Sequence, residues 1–302
     1  MANPFPTPVA GKACMDDVIY WTYEREVIRL QKERGLPKPW TPDPILEKYR
    51  FCNVRRRDDK VSQWLIKNFF DSYRDYADGE DLWFVSAIAR YVNWPPSLLA
   101  LLCNGAIPGD AGEFEPEIFI AVMDDLKSTD AKIWGSAYMI YPGRNTGSNK
   151  AETVARTFLL PLARDADKIR AAVAENRVEA VVSAITQHYG FSTFLAGQIA
   201  ADLSYYPDEL GRATDLYEWA PIGPGSTRGL NRLLGRKLEA AWKQEDFNRE
   251  LIVIWKEIAE QLDLDEITLH DVQSCFCEMD KYWRVLNLEG APKSIYKTET
   301  AY

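Results

Sequence analysis

The chain has 302 residues, of which 46% are hydrophobic and 12% aromatic, and 45 acidic against 36 basic side chains give a net charge of −9. This hydrophobic content is enough for a sizeable core, so the composition predicts a globular protein and excludes a disordered one. The acidic balance argues against a DNA grip spread over the whole surface, because such binding depends on neutralised phosphates. Any nucleic-acid contact must therefore be local.

Apolar run lengths and cysteine spacing bear on location and chemistry. The longest apolar runs, such as Ser97 to Cys103, fall far short of the ~20 residues that a membrane span needs, and the N-terminus lacks a basic-then-apolar signal pattern. The five cysteines show no zinc-type spacing, which favours reduced thiols. We therefore predict a cytoplasmic protein with no membrane partner, no metal and no cofactor.

Apolar residues recur at three- and four-residue spacing along most of the chain, which predicts an all-α fold. Proline-rich stretches at 4–8 and 37–44 predict extended arms. One compact domain over residues 1–302 is expected, with possible lobes at about 80–200 and at 1–79 plus 201–302. The predicted helices cover about 15–34, 59–73, 80–92, 95–103, 115–127, 149–172, 177–188, 191–203, 212–219, 227–234, 237–262 and 268–284.

The first segment with chemical potential is a run of three arginines followed by two aspartates. Adjacent helix residues point about 100° apart, so three consecutive arginines cannot share one salt-bridged face. Asp58 is placed to cap a helix that begins near Lys60, which leaves the arginines on the preceding loop. Forked guanidinium donors match phosphate oxygens in pairs, so an anion site is one interpretation and a solvated charge run the other. The segment reads Asn53-Val54-Arg55-Arg56-Arg57-Asp58-Asp59.

Three further features lie between this arginine run and residue 223. The glycine-rich loop from Tyr138 to Lys150 lacks the Gly-Lys-Ser/Thr ending of a P-loop, so it either closes over a nucleotide or is a plain surface turn. Asp202 ends a predicted helix that also carries Gln198, and its helical neighbours are apolar or small. Partial burial would raise the pKa of this carboxyl toward what a general base requires. His188, at a helix end, is either a cap or catalytic.

The segment from Gly223 to Arg232 combines glycines, a proline and a helix start. A helix N-terminus after a glycine turn exposes backbone N–H groups that can hold a phosphate, and Arg228, Arg232 and Arg236 follow at helical spacing. An ordinary helix cap by Ser226 or Thr227 is the alternative.

The last predicted helix carries a short charged cluster of Glu278, Asp280 and Lys281. Glu278 and Lys281 are three residues apart, so their side chains can pair. Such a pair is either an exposed surface contact, worth only tenths of a kcal/mol, or part of a site.

Four segments, which occur in order between residues 49 and 282, together resemble the alpha-glutamyl/putrescinyl thymine pyrophosphorylases. This family is also described as amino acid:DNA transferases, and it is related to the helical domain of 5-hydroxymethyluracil DNA kinases. The segments are Tyr49-Arg50-Phe51-Cys52 with Asn53 to Asp59, Gly190-Phe191 with Phe194 to Leu203, Gly223 to Arg232, and Asp271-Val272-Gln273-Ser274-Cys275-Phe276-Cys277-Glu278-Met279-Asp280-Lys281-Tyr282.

The resemblance implies a two-lobed helical architecture similar to the helix-hairpin-helix DNA glycosylases, which flip a base into a pocket. Asp81 to Arg90 resembles the early core helix of a glycosylase lobe, and Gly223 to Gly225 takes the place of the hairpin turn that grips a DNA phosphate. No catalytic aspartate follows that turn at the glycosylase distance, which puts base excision in doubt.

The resemblance also implies the reaction. An amine displaces pyrophosphate from a pyrophosphorylated 5-hydroxymethyluracil in DNA, and positioned cations stabilise the departing anion. The implied partners are double-stranded DNA carrying a modified thymine and a free amino acid (glycine, serine or glutamate) or a polyamine, in the host-cell cytoplasm if the protein is phage-encoded. The expected catalytic residues are Asp202, Asp280 and Glu278; the pyrophosphate and substrate residues are Asn53, Arg55, Arg56, Arg57, Gln198 and Lys281; and the DNA-binding residues are Gly223, Gly225, Ser226, Arg228, Asn231 and Arg232.

Two alternatives remain open at this point. The chain is either a glycosylase that acts on a modified thymine, or a non-enzymatic DNA-binding accessory of a 5-hydroxymethyluracil DNA kinase. The first would leave abasic sites, and the second would survive loss of a buried carboxylate such as Asp202.

Overall fold

The computed structural model describes residues 3–77, 81–135, 149–264 and 266–296. The regular elements in these ranges are helices, apart from an isolated antiparallel bridge between Tyr49 and Ile295. This confirms the all-α class, while the likeness to glycosylases stays a prediction. The α-helices are α1 (Met15–Glu33), α2 (Pro44–Lys48), α3 (Lys60–Leu65), α4 (Asp71–Ala77), α5 (Leu82–Val92), α6 (Pro95–Cys103), α7 (Pro116–Ser128), α8 (Lys150–Glu152), α9 (Leu160–Arg164), α10 (Ala166–Ala174), α11 (Val178–Thr186), α12 (Thr193–Leu203), α13 (Pro224–Leu233), α14 (Gln244–Leu262) and α15 (Leu269–Leu286).

Short segments of other helical types complete these elements. Arg56–Asp58 and Ala111–Glu113 are 3₁₀ turns, and Ile66–Phe70 and Thr153–Leu159 are π-helical. The second π-helical segment lies just before Pro161, which has no N–H to continue the α-helical hydrogen bonds. None of the helices in the described ranges is both long and apolar enough to cross a membrane.

The chain forms two compact units. The first is made of Met1–Asp59 together with Tyr217–Tyr302, and the second is Lys60–Leu216. In the first unit, α15 packs along α13 and also contacts α1, α2 and α14. Its core contains large buried side chains from several of these helices, among them Trp21, Phe247, Phe276 and Trp283.

Helix α15 approaches α13 closely because glycines leave space between them. A Cβ atom at Gly229 would collide with the backbone carbonyl of Phe276, and one at Gly225 would collide with the Sγ atom of Cys277. Helix α15 begins at a reciprocal cap, in which Asp271 N–H donates to the Thr268 hydroxyl (3.2 Å) and Thr268 N–H donates to the Asp271 carboxylate (3.0 Å).

The second unit is organised around α5, in which every residue is buried. A helix that is apolar on all sides belongs in a core, and α12 packs against it. Asn93, in the left-handed conformation (φ 44°), ends α5, and Pro95 opens α6.

Three predicted helices differ from the structure. Residues 212–219 form turns, because Asp215 accepts the first backbone N–H groups of α11 from Val178 (2.7 Å) and Glu179 (3.0 Å). The predicted helix 237–262 begins only at Gln244. The predicted helix 149–172 is interrupted at Asp165, whose backbone (φ −100°, ψ 24°) is not helical.

Candidate functional site

The arginine-bearing loop of the first unit is closed by Asn53. Its backbone N–H donates to Asp59 Oδ1 (2.8 Å), and its side-chain amide donates to the Asp58 carbonyl (2.7 Å). Asp58 does not cap the next helix as expected. Its carboxylate instead accepts from Arg55 Nε (3.4 Å) and lies 3.7 Å from Arg29 Nε, because two guanidinium groups are the stronger partners.

The three consecutive arginines of this loop take different directions. Arg55 lies against Asp58 and Glu26, whereas Arg56 pairs with Asp59 (2.5 Å). Arg57 is exposed. The sequence grouped all three as one pyrophosphate site. In the structure Arg56 and Lys281 act electrostatically on the same two thiols, Cys52 and Cys277, whereas Arg55 faces Glu26 and Asp58.

A buried arginine of α1 supports the loop from the core side. Arg25 is 1% exposed, and its guanidinium donates to the backbone carbonyls of Phe51 (3.0 Å) and Cys52 (3.1 Å) and to Asn53 Oδ1 (3.2 Å). A guanidinium has five donors in a fixed fork, so one side chain can satisfy several carbonyls of an irregular segment. Arg25 therefore fixes the backbone that presents Arg56.

Helix α15 anchors both predicted anion segments through polar side chains along its length. Asp271 accepts from Arg56 N–H (2.9 Å), and Glu278 accepts from Cys52 N–H (3.3 Å). Gln273 donates to the hydroxyl of Ser226, at the start of α13 (2.8 Å). The arginine loop and the start of α13 are thus both held by hydrogen bonds to α15.

The first backbone N–H groups of α13 lie outside its helical hydrogen-bond ladder. Gly223 precedes the helix, Pro224 has no N–H, and the first helical hydrogen bond runs from Thr227 N–H to the Gly223 carbonyl (2.9 Å). The N–H groups of Gly225 and Ser226 therefore precede the helical hydrogen-bond ladder. The Ser226 hydroxyl donates to the Gly223 carbonyl (3.0 Å) and accepts from the Gly223 N–H (3.2 Å), so it stabilises the turn from within.

Cys277, on α15, is close to the start of α13 and is influenced by the charge of the arginine loop. Gly225 packs directly on its Sγ atom. Burial raises the pKa of the Cys277 thiol, Glu278 raises it further, and the positive charges of Lys281 and Arg56 act against them. The charges of Lys281 and Arg56 thus act on a residue that also contacts the positive end of α13.

Arg56, Lys281 and Glu278 also act electrostatically on Cys52. Burial raises the pKa of the Cys52 thiol to about 12, although the nearby Arg56 charge opposes this rise. Both thiols are therefore protonated near neutral pH and contribute packing surface rather than a nucleophile.

Glu278 and Lys281 pair as the spacing predicts, with Nζ and Oε1 2.5 Å apart. The Glu278 side chain is 9% exposed and the Lys281 side chain 39%, so the pair is buried at its carboxylate end and reaches solvent at its ammonium end. Burial lowers the pKa of Lys281, but the negative charge of Glu278 is the largest opposing cause and the net direction is upward. Lys281 therefore keeps its positive charge at physiological pH.

Asp280 holds the two arginines of α13. Its carboxylate accepts from Arg232 Nε (2.8 Å) and from Arg228 Nε (3.3 Å), and its side chain is 5% exposed. Each arginine also contacts a second carboxylate, Glu239 for Arg228 and Glu289 for Arg232. Asp280 therefore fixes the positions of the Arg228 and Arg232 guanidinium groups.

Two of the predicted residues on and near α13 serve the fold. Asn231 is buried, and its amide donates to the carbonyls of Leu238 and Ala240 (both 2.9 Å), which holds the segment before α14 in turns. Its Oδ1 accepts from Trp242 (2.9 Å), and Arg236 stacks on the Trp242 ring (3.6 Å to the centroid).

Asp202 and Gln198 belong to α12 of the second unit, and both are buried. Asp202 accepts from Ser86 Oγ (2.5 Å) and Arg90 Nε (2.8 Å), and Arg90 contacts its second oxygen. The apolar neighbours along α12 predicted burial, but the guanidinium that meets the carboxylate comes from α5, far away in sequence.

A cavity of about 480 Å³ lies in the first unit, where Arg55 and Glu26 form part of its wall together with Tyr23, Leu30 and Leu262. Glu26 Oε1 is buried and has no hydrogen-bond partner within the described ranges. Sequence reasoning did not single out Glu26, because a glutamate on a charged helix gives no distinct signal.

The sequence analysis also raised a role for His188, a glycine-rich loop and the question of a metal site. His188 lies 3.2 Å from Asp165 at the end of α11. Most of the glycine-rich loop, residues 138–148, lies outside the described residues. Within the described ranges, no group of three or more metal-ligating side chains is found.

The fold and this geometry define an all-α protein in which a basic loop and a helix N-terminus share one helical scaffold. The chain belongs to the family described as 5-hmdU DNA kinase, helical domain, whose model matches residues 12–290. It is 24% identical over 316 aligned residues to the 5-hmdU DNA kinase of Bacillus phage SP10. That alignment covers 98% of this chain and 47% of the kinase, so the chain spans about half the length of this relative. No solved structure matches the chain.

Proposed function

We propose that the protein is a DNA-modifying transferase that joins the amine of a small amino acid to the 5-methylene of a pyrophosphorylated 5-hydroxymethyluracil in DNA. The family supports a role in thymine hypermodification of phage DNA. The observation that carries the reaction is that Arg56 and Lys281 act electrostatically on Cys277, while the start of α13 contacts it at Gly225.

In this proposal the diphosphate of the substrate is bound by these groups. Backbone N–H groups at a helix N-terminus bind phosphate oxygens without a charged side chain, and the guanidinium and ammonium groups neutralise the remaining charge. The pairing of Arg56 with Asp59 and of Lys281 with Glu278 keeps both cations in place before the substrate arrives.

The cavity beside Arg55 is our candidate for the everted base. Its volume of about 480 Å³ falls within the ~300–1,000 Å³ typical of small-molecule pockets. The buried, unpartnered Oε1 of Glu26 is an acceptor that suits the ring N–H of a pyrimidine. The Tyr23 ring in the same wall offers a surface on which a base can stack.

The chemical step is a substitution at the exocyclic methylene carbon. A bond forms between the amine nitrogen and this carbon while the bond from carbon to the pyrophosphate oxygen breaks, and its electron pair leaves with pyrophosphate. The pyrimidine ring delocalises positive charge on the allylic carbon, so catalysis depends mainly on stabilising the departing anion. The amine proton passes to a carboxylate, for which Glu278 is our candidate because it lies beside the cations.

DNA would be gripped through the α13 segment. Arg228 and Arg232 lie on one face of α13, and Asp280 fixes both guanidinium groups. On a protein of net charge −9, such a patch gives local rather than general attraction for the DNA backbone.

The proposal is tested by incubating the protein with duplex DNA that carries pyrophosphorylated 5-hydroxymethyluracil, together with single amino acids or putrescine. The DNA is then digested to nucleosides for mass analysis. A nucleoside whose 5-methylene is bonded to the amine nitrogen is expected, and Arg56→Met should lower the rate of its formation about 100-fold. Arg249→Met is the matched control, because Arg249 is an exposed arginine of the same unit.

Other outcomes contradict the proposal in distinguishable ways. Abasic sites would indicate base excision. Tight binding to the modified DNA with unchanged nucleosides for every amine would instead favour an accessory role, which the match to only half of a longer kinase also permits.

A further inference from the structure

A second cavity, of about 600 Å³, lies in the second unit, beside the C-terminal end of α10 and the turns at residues 205–212. Its volume is again typical of a small-molecule pocket. We call it the α10 cavity; its charged lining residues are Arg74, Arg170, Asp208, Glu209 and Arg212.

Some charges of the α10 cavity already have partners within the protein. Arg170 donates to both oxygens of Asp81 (2.9 and 2.6 Å) and to Asp110 (2.6 Å). Arg74 pairs with Asp208 and lies over the Tyr206 ring (4.8 Å to the centroid). These groups neutralise one another and leave little net charge for a ligand.

Glu209 and Arg212 differ from them. Within the described ranges, neither side chain makes a hydrogen bond or ion pair, and the two do not pair with each other. Glu209 is half-buried and Arg212 is exposed. Burial raises the pKa of Glu209 to about 7, Asp208 and Asp81 add to this rise, and Arg74 opposes it.

The backbone holds this pair of opposite charges in place. The N–H groups of Glu209 (3.1 Å) and Gly211 (2.8 Å) both donate to the Tyr206 carbonyl. A Cβ atom at Gly211 would lie only 2.7 Å from that oxygen, so the tight turn requires glycine. The Asn176 amide fixes Arg212 by donating to its carbonyl (2.9 Å).

We propose that the α10 cavity binds a free α-amino acid as its zwitterion, with the ammonium group on Glu209 and the carboxylate on Arg212. One small ligand then satisfies two opposite charges that the protein leaves unpaired on one wall. Val173 and Ala174, at the C-terminal end of α10, also line the cavity, and a helix C-terminus favours a cation.

The same charges disfavour two other ligands. A polyamine has no group for Arg212. A phosphate or pyrophosphate has no group for Glu209 and is repelled by its carboxylate once that group ionises. The cavity thus selects an amino acid from among the amines considered above; that this amino acid is of the kind transferred rests on the proposed function, whereas binding itself does not.

The experiment measures binding of glycine, serine, glutamate, putrescine and inorganic phosphate to the full chain without DNA, by calorimetry or ligand-observed NMR. Saturable binding of at least one amino acid is expected, with no competition from putrescine or phosphate. Arg212→Met and Glu209→Gln should each weaken that binding at least tenfold. Their matched controls are Arg164→Met and Glu113→Gln, since both replace exposed residues of the second unit that do not line the cavity.

A pH series adds a readout that a merely structural role would not move. Amino-acid binding should strengthen from pH 6 to pH 8 as Glu209 ionises, and Glu209→Gln should abolish this dependence. The groups that act on Glu209 are Asp208, Asp81 and Arg74. Absence of amino-acid binding, or equal binding by both cavity variants and the wild type, would overturn the inference.

This test separates the two proposals. If glycine binds and the cavity variants lose it, but no modified nucleoside forms, the cavity stands and the transferase proposal fails. If transfer occurs while both variants bind and use the amino acid as the wild type does, the transferase stands and the cavity assignment fails.

Discussion

The backbone N–H of Arg56 donates to the carboxylate of Asp271 at 2.9 Å, across 215 residues of sequence. The same carboxylate accepts from the backbone and hydroxyl of Thr268 at the start of α15 (3.0 and 2.9 Å). One buried aspartate therefore caps a helix and sets the position of the arginine loop. This contact is what makes the loop and α15 one site rather than two.

We expect Asp271→Ala to lower the free energy of unfolding by about 2 kcal/mol, because a cap and a buried acceptor are lost together. It should also slow the proposed transfer by releasing Arg56. Urea unfolding measures the first effect. Asp246→Ala, in the exposed first turn of α14, is the control and should change stability by less than about 0.5 kcal/mol. Equal stability of both variants would contradict the anchoring role.

Arg228→Met should weaken binding to duplex DNA and reduce the slope of log affinity against log salt concentration by about 1, because one phosphate contact is lost. Fluorescence anisotropy over a salt series measures both quantities. Arg249→Met should leave the slope unchanged. An unaltered slope for Arg228→Met would remove α13 from the DNA interface.

Asp202→Asn should lower the free energy of unfolding by about 3 kcal/mol, since it removes the carboxylate charge that pairs with the buried Arg90. The double variant Arg90→Met/Asp202→Leu should recover most of that loss, because it buries no unpaired charge. Thermal or urea unfolding of the three proteins makes the comparison. If Asp202→Asn is as stable as the wild type and yet inactive, the carboxylate acts in the chemistry instead.

Gly229→Ala should destabilise the first unit by about 2 kcal/mol, because its Cβ meets a backbone carbonyl that cannot rotate away. The Cβ atom added by Gly225→Ala would collide with the Cys277 sulfur, so Cys277→Ala should recover part of the lost stability. Recovery should be partial because this Cβ atom would still lie 3.2 Å from Cys277 Cβ. Cys277→Ala should give no such relief to Gly229→Ala. Denaturation of the single and double variants distinguishes the two contacts.

Glu209 should make stability depend on pH. Its pKa is raised in the folded state to about 7 from 4.5, so the folded protein binds more protons than the unfolded chain between these values. Stability from this group is present below pH 4.5 and lost as pH rises through 7. Glu209→Gln should therefore be more stable than the wild type at pH 8, by on the order of 2 kcal/mol after allowance for partial exposure, and equal to it near pH 4.

The local features of this chain could be predicted from the sequence. Helical periodicity located most elements, and the three-residue spacing of Glu278 and Lys281 predicted their pair. Apolar neighbours along α12 predicted the burial of Asp202. These inferences depend on residues a few positions apart, where helix geometry alone sets which side chains meet.

The predictions that were wrong concern residues whose interaction partners are distant in sequence. Nothing near Asp215 indicates that it accepts N–H groups of α11, and so residues 212–219 looked helical. The divergence of Arg55 and Arg56 follows from Glu26 and Asp59, and the anchor at Asp271 could have been suspected only from the Thr268-x-x-Asp271 capping pattern. Long-range pairs of this kind leave no periodic trace in a single sequence.

The division of the first unit between residues 1–59 and 217–302 has a consequence for synthesis on the ribosome. Helix α1 and the arginine loop emerge early but cannot complete their core until α15 has left the exit tunnel, whereas residues 60–216 have all their own partners by then. Nascent chains halted before residue 269 should therefore hold a protease-resistant middle and a digestible start. In such chains the segment that carries Arg56 would lack its hydrogen bond to Asp271, because α15 has not yet been made.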